Sequence, residues 1–133
     1  MTPRLAVAAL AAILAGSAQG AAAHHSYAMF DPSRTLTASG TVAKVEWTNP
    51  HVFVWMYVPK AEGGYTLYAF ESDAVSRLAR MGWSATTLSP GDKVVIAYAP
   101  LRDGRPGGKL ITARLANGVV MATTNPNVPA RQP

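Results

Sequence analysis

Three histidines carry most of the metal-ligating capacity of this chain, and two of them are adjacent: His24 and His25, with His51 as the third. The pair follows a row of alanines in the stretch AAAHHSYAMF, residues 21 to 30. A cut before His24 creates a terminal histidine whose free amine and ring nitrogen can chelate one ion together. His51 or His25 then completes a three-nitrogen set. A cut before Ala23 puts His25 third from the amine, and the amine, two deprotonated amides and one imidazole form a square-planar set. Either arrangement suits Cu(II) or Ni(II), which stand high in the divalent affinity series and accept nitrogen donors. An α-amine has a pKa of about 7.7 to 8, so it is readily available as a donor near neutral pH. Asp31, Glu46 and Glu71 are carboxylates that can join the set where the fold brings them near. The competing reading is that His24-His25 is a loose terminus and that His51 merely starts a strand, donating to a backbone carbonyl of the turn before it.

A cut is expected because residues 1–23 read as a signal peptide. Arg4 provides the charged start, Leu5 to Gly16 the apolar run and SAQGAAA the small-residue tail. The run is shorter than the roughly 20 apolar residues that span a bilayer, so no transmembrane segment is left after processing. The expected location is periplasmic or secreted. The chain has no cysteine, which excludes disulfides, thiolate metal sites, iron–sulfur clusters and cysteine nucleophiles. Setting Arg4 aside leaves 11 Lys+Arg against 7 Asp+Glu, a charge near +4 spread singly along the chain. That balance gives solubility and loose affinity for anionic surfaces. It lacks the clustered cations of a nucleic-acid binder, so nucleic acid is not an expected partner.

Other chemistry is sparse. There is no G-x-S-x-G elbow, no H-E-x-x-H helix and no pair of carboxylates at a readable spacing. Ser26 follows His25, but neighbours in a lead-in give no nucleophile held by its base. The stretch LRDGRPGGKL is one residue short of a phosphate loop, with Leu110 where a Ser or Thr is required. It reads as a solvated loop offering Arg102, Arg105 and Lys109. The balance favours a binding module over an enzyme, with a redox enzyme on the same copper ligands as a third reading.

The elements that must position these residues are mostly strands. Asp31-Pro32-Ser33 marks a turn. Leu36 to Trp47 forms a long strand with a bulge near Ala43-Lys44, eased by Gly40. Thr48-Asn49-Pro50 turns the chain into a second strand, His51 to Val58, whose alternation puts Val52, Val54, Met56 and Val58 on one face. His51, Phe53, Trp55 and Tyr57 fall on the other. Glu62-Gly63-Gly64 leads to a return strand, Tyr65 to Glu71, with Tyr68 and Phe70 on one side. Ser72-Asp73 can cap a short helix with Val75, Leu78 and Ala79 on its stripe and Gly82 as its stop. A fourth strand spans Lys93 to Tyr98 and a fifth Lys109 to Leu115, and Asn117-Gly118 turns the chain toward Val119-Val120-Met121. The tail, 123–133, holds three prolines and nothing to bury, and reads as disordered.

Strand, strand, strand, helix, strand, strand predicts an all-β fold with one short helix, an OB-fold-like five-stranded antiparallel Greek-key barrel over residues 24–122. OB-folds bind ligands on strands two and three. That makes the strip Phe53, Trp55, Tyr57, Tyr68 and Phe70 a second candidate surface, joined at its edges by Trp47, Asn49, Arg102 and Arg105. Its partners would be an envelope protein, a glycan or another small ligand. The bland alternative is cross-strand packing that stiffens the sheet.

With AHHSYAMFD (23–31), GTVAKVEWTNPHVFVW (40–55), AFE (69–71) and LSPGDKVVI (88–96), the chain resembles a bacterial family of small exported proteins of unknown function. The resemblance implies a single barrel behind a signal peptide. It draws attention to Trp47, Asn49, Pro50 and His51 together with His24 and His25, and it supplies no reaction.

Overall fold

A computed structural model of the protein describes residues 27–124. The expected signal peptide, His24, His25 and most of the Pro-rich tail lie outside the described residues. Runs of β-branched and aromatic residues build β1 (Leu36–Glu46), β2 (Phe53–Pro59), β3 (Tyr65–Glu71), β4 (Lys93–Pro100), β5 (Gly107–Arg114) and β6 (Val120–Ala122). The short helix α1 (Val75–Arg80) lies between β3 and β4.

Hydrogen bonding orders the strands β3-β2-β1-β4-β5-β6, and β5 also pairs with β3, which closes five strands into a barrel. This closing pair is parallel, with Ala69 opposite Gly107, Phe70 opposite Gly108 and Glu71 opposite Lys109. An all-antiparallel barrel was the expectation. Directions that alternate around a closed ring need an even number of strands, so a ring of five must contain one parallel pair. The barrel is therefore mixed and OB-fold-like.

β1 serves two neighbours. Leu36 to Thr41 pair with β4 and Thr41 to Glu46 with β2, and the register slips between Val42 and Lys44 where Ala43 is bulged, as the broken alternation predicts. Gly40 sits at this crossover, where a Cβ would run into the carbonyl oxygen of Tyr57. The inward residues Val42, Val54, Met56, Phe70, Ile96 and Leu110 make the core. Leu78 of α1 closes one end with no exposure, and Ala79, expected beside it, faces solvent. Gly82 ends the helix at φ +87°, and Trp83 folds back under it, donating from Nε1 to the Ala122 carbonyl at 2.8 Å.

Several strand boundaries differ from the sequence reading. β2 begins at Phe53, leaving His51 just ahead of it, and β6 is Val120–Ala122. β5 begins at Gly107, because Gly107 and Gly108 form the seam with β3 and are buried. Thr123, placed in the tail by sequence, is buried, and its hydroxyl donates to the Leu110 carbonyl at 2.9 Å.

The helix start is also held differently. Ser72 and Asp73 make no side-chain cap, and the N-cap position is Ala74. Asn49, in the turn before β2, instead accepts from the Val75 amide at 3.1 Å. A cap supplied from a distant turn satisfies an amide that the helix leaves unpaired. Asn49→Ala is expected to cost about 1 kcal/mol in urea unfolding, the usual scale for losing a cap. An unchanged midpoint would show that water replaces it without loss.

Candidate functional site

His51 follows a cis Asn49–Pro50 bond and precedes β2. Its backbone setting is tied to the far end of β3: the Val52 amide donates to the Asp73 carbonyl at 3.0 Å, and the Ser72 amide donates to the Val52 carbonyl at 2.8 Å. These two bonds extend the β2–β3 ladder past its last strand residues and bring His51 beside Glu71. His51 Nδ1 lies 2.6 Å from Glu71 Oε1, with both side chains largely covered. The partner is thus a carboxylate rather than the turn carbonyl of the competing reading. A neutral imidazole that gives its Nδ1 proton to a carboxylate presents Nε2 as its free lone pair.

The parallel seam sets a second cluster next to the first, and this one escaped the sequence reading. Lys109 Nζ donates to the Ser72 carbonyl at 2.7 Å and to Asp73 Oδ1 at 3.0 Å. The Tyr27 hydroxyl donates to the same Asp73 oxygen at 3.3 Å, and the Lys109 ammonium lies 5.2 Å from the centre of the Tyr27 ring. Arg77 Nε stands 3.4 Å from Asp73 Oδ2, an ion pair that misses hydrogen-bond geometry. Burial, then the Asp73 charge, raises the Tyr27 phenol above its ordinary pKa.

Tyr27 opens a lead-in that is strapped to the barrel along its length. The Asp31 amide donates to the Pro100 carbonyl at 2.8 Å and the Arg102 amide to the Met29 carbonyl at 2.9 Å. Arg102 Nε donates to the Ala28 carbonyl at 3.2 Å, which ties this exposed guanidinium to the lead-in. Arg105 closes on Asp103 at 2.8 Å within its own turn. The first described residue is therefore pinned at Asp73, two residues along the chain from Glu71.

The aromatic strip divides. Residues opposite each other in an antiparallel pair share a face, and Tyr68 is opposite Met56 and Phe70 opposite Val54, both core residues. Tyr68 and Phe70 point inward, contacting each other at 5.9 Å between ring centres and Tyr98 at 6.4 and 5.0 Å. Trp47 also packs against the core. Phe53 and Trp55 remain outside, stacked at 6.4 Å with 26° between planes, and Tyr57 is half exposed. Trp55 Nε1 is buried and finds no acceptor at bonding geometry. The Glu46 carboxyl on the same face is held below the usual carboxylate range chiefly by the Lys44 ammonium, with the Trp55 indole as the least of the contributors. Tyr68 and Trp47 therefore pack against the core, while Phe53, Trp55 and Tyr57 remain on the outer face and Asn49, Arg102 and Arg105 are exposed.

Among the described residues, no three His, Cys, Asp or Glu side chains gather to hold a metal ion. Nor is any helix there long and apolar enough to cross a membrane.

A closed mixed barrel with a helix between its third and fourth strands, and a carboxylate-oriented histidine at one end, defines a small OB-like β-barrel domain. The model of a family of unknown function, DUF6152, matches residues 10–110, and the chain belongs to that family. Neither the curated proteins nor the solved structures yield a match.

Proposed function

We propose that the chain is exported, loses residues 1–23 and acts in the periplasm or outside the cell as a non-enzymatic module that binds one copper-type ion. His51 Nε2 is one donor. His24, His25 and the new amine supply the others. The observation that carries this reading is the His51–Glu71 contact at 2.6 Å, since metal-bound histidines almost always give their second ring N–H to a carboxylate, carbonyl or water. The pinned Tyr27 supports it, because it starts the lead-in from the same corner of the barrel, within a few residues of both terminal histidines.

Intact mass and N-terminal sequencing of the exported protein fix the cut, and Cu(II) titration of the same sample fixes the site. The expected result is one Cu(II) per chain with a nitrogen-dominated spectrum. Replacing His24, His25 and His51 together by alanine abolishes that binding, and unchanged affinity in the triple variant removes the reading. Glu71→Gln should weaken the ion by about 10- to 100-fold, the usual effect of losing a carboxylate behind a ligating histidine.

A further inference from the structure

The outer face of β1, β4 and β5, away from the histidine corner, forms a groove of about 640 Å³, a volume in the range of ligand sites. Its floor follows from strand alternation. Ser39 and Thr41 of β1 are opposite Val95 and Lys93 of β4, and Val95 is opposite Arg114 of β5. Small hydroxyl side chains there keep the floor low. The walls come from the end of the β2–β3 hairpin, with Pro59 and Tyr65, and from the β5–β6 turn at Gly118. A second hollow of about 310 Å³ shares Val95, Arg114 and Gly118 with the first and extends it along β4 toward Thr37 and Thr112. The result is an elongated trough.

Its charge is one-sided. Lys93 and Arg114 occupy diagonal positions on adjacent strands, about 7 Å apart by strand geometry. Neither has an ion-pair partner among the described residues, and no carboxylate lines either hollow. An anion lying between these two positions is attracted by both side chains. At the rim, Tyr65 is 67% exposed, with its ring braced edge-on by Tyr57 at 6.2 Å.

We propose that this trough binds an anionic oligosaccharide. Ser39, Thr41, Thr37 and Thr112 offer hydroxyls that both donate and accept, which matches the hydroxyls of a sugar chain. Arg114 and Lys93 take its carboxylates, and the Tyr65 ring gives a flat face for a pyranose to stack on. An acidic peptide fits less well. Extended peptides bind by pairing with a free strand edge, and β4, which runs along the middle of the trough, has both of its edges paired, to β1 and to β5.

The test is calorimetric titration of the full chain with hexagalacturonate, beside cellohexaose, hexaglutamate and phosphatidylglycerol vesicles. Hexagalacturonate should bind with an affinity that falls as salt rises, and the other three should bind at least about tenfold more weakly. Arg114→Gln and Lys93→Gln should each weaken it by about tenfold, and Tyr65→Ala by about fivefold. All three positions are exposed, so the melting temperature should stay constant. Amide shift changes on saturation should centre on Ser39, Val95 and Arg114. Equal binding of cellohexaose, tighter binding of hexaglutamate or of vesicles, no effect of Arg114→Gln, or shifts confined to Phe53 and Trp55 would each overturn the proposal.

Discussion

Gly108→Ala is expected to destabilise the barrel by about 3 kcal/mol or more, enough to unfold much of a domain of ordinary stability. The reason lies where β5 runs against β4. A Cβ on Gly108 would run into the carbonyl oxygen of Ala99, with the Tyr98 ring carbon at 2.9 Å on the same side. Both obstacles belong to β4, which is itself paired to β1 and cannot retreat without opening another ladder. Overpacking a core costs typically about 1 to 3 kcal/mol when side chains can shift, and here the obstacle is mainly backbone. Gly107→Ala meets the Ala69 carbonyl from the other side and adds about 1 to 3 kcal/mol of backbone strain, because Gly107 has φ +120°. Urea midpoints of the two variants measure both effects. Wild-type stability in Gly108→Ala would mean that β4 and β5 do not approach as described, and in Gly107→Ala that β3 and β5 are not joined as described.

Asp73→Ala should be nearly as damaging, at about 3 kcal/mol. Its carboxylate is 7% exposed and the Lys109 side chain 15%, so removing the acid leaves an ammonium largely out of water with the Ser72 carbonyl and the Tyr27 ring beside it. Breaking a buried pair from one side typically costs about 3 to 5 kcal/mol, and the remaining carbonyl contact argues for the low end. The cost belongs to the stranded charge more than to the lost attraction. The double variant Asp73→Leu with Lys109→Met should therefore recover a large share of the stability, and a double-mutant cycle by urea unfolding reads that recovery directly. Strictly additive losses would show that the two groups do not depend on each other. Asp73→Ala also frees the Tyr27 hydroxyl, so the lead-in should exchange its amide hydrogens faster in this variant.

Most of the fold could be read from residue periodicity. The bulge at Ala43, the alternation of β2 and the stop at Gly82 all come from local patterns, and each appears where those patterns put it. Features built across the chain were harder to read. The parallel pair follows from counting strands, yet nothing local at Ala69 or Gly107 announces it. With the seam unread, Gly107 and Gly108 fall in a solvated loop, and nothing matches Lys109 to Asp73. Tyr68 was set on the wrong face because β2 and β3 were sorted separately, and only their register shows Tyr68 beside Met56. Asn49 looked like a surface residue because its partner, the Val75 amide, belongs to a helix that starts well downstream. For the candidate site, sequence picked out His51, but its Glu71 neighbour had only the standing of one carboxylate among several.

The position of β5 between β3 and β4 also bears on how quickly the molecule can form. β1, β2 and β3 are hairpin-linked and can assemble early from contacts close in sequence, whereas β4 must find β1, and β5 must find β3, at distant places along the chain. Topologies dominated by such remote pairings fold in about milliseconds to seconds, so ring closure should be the slow step of refolding. A chain stopped before Gly107 would hold two unsatisfied strand borders at once, each a template for another molecule.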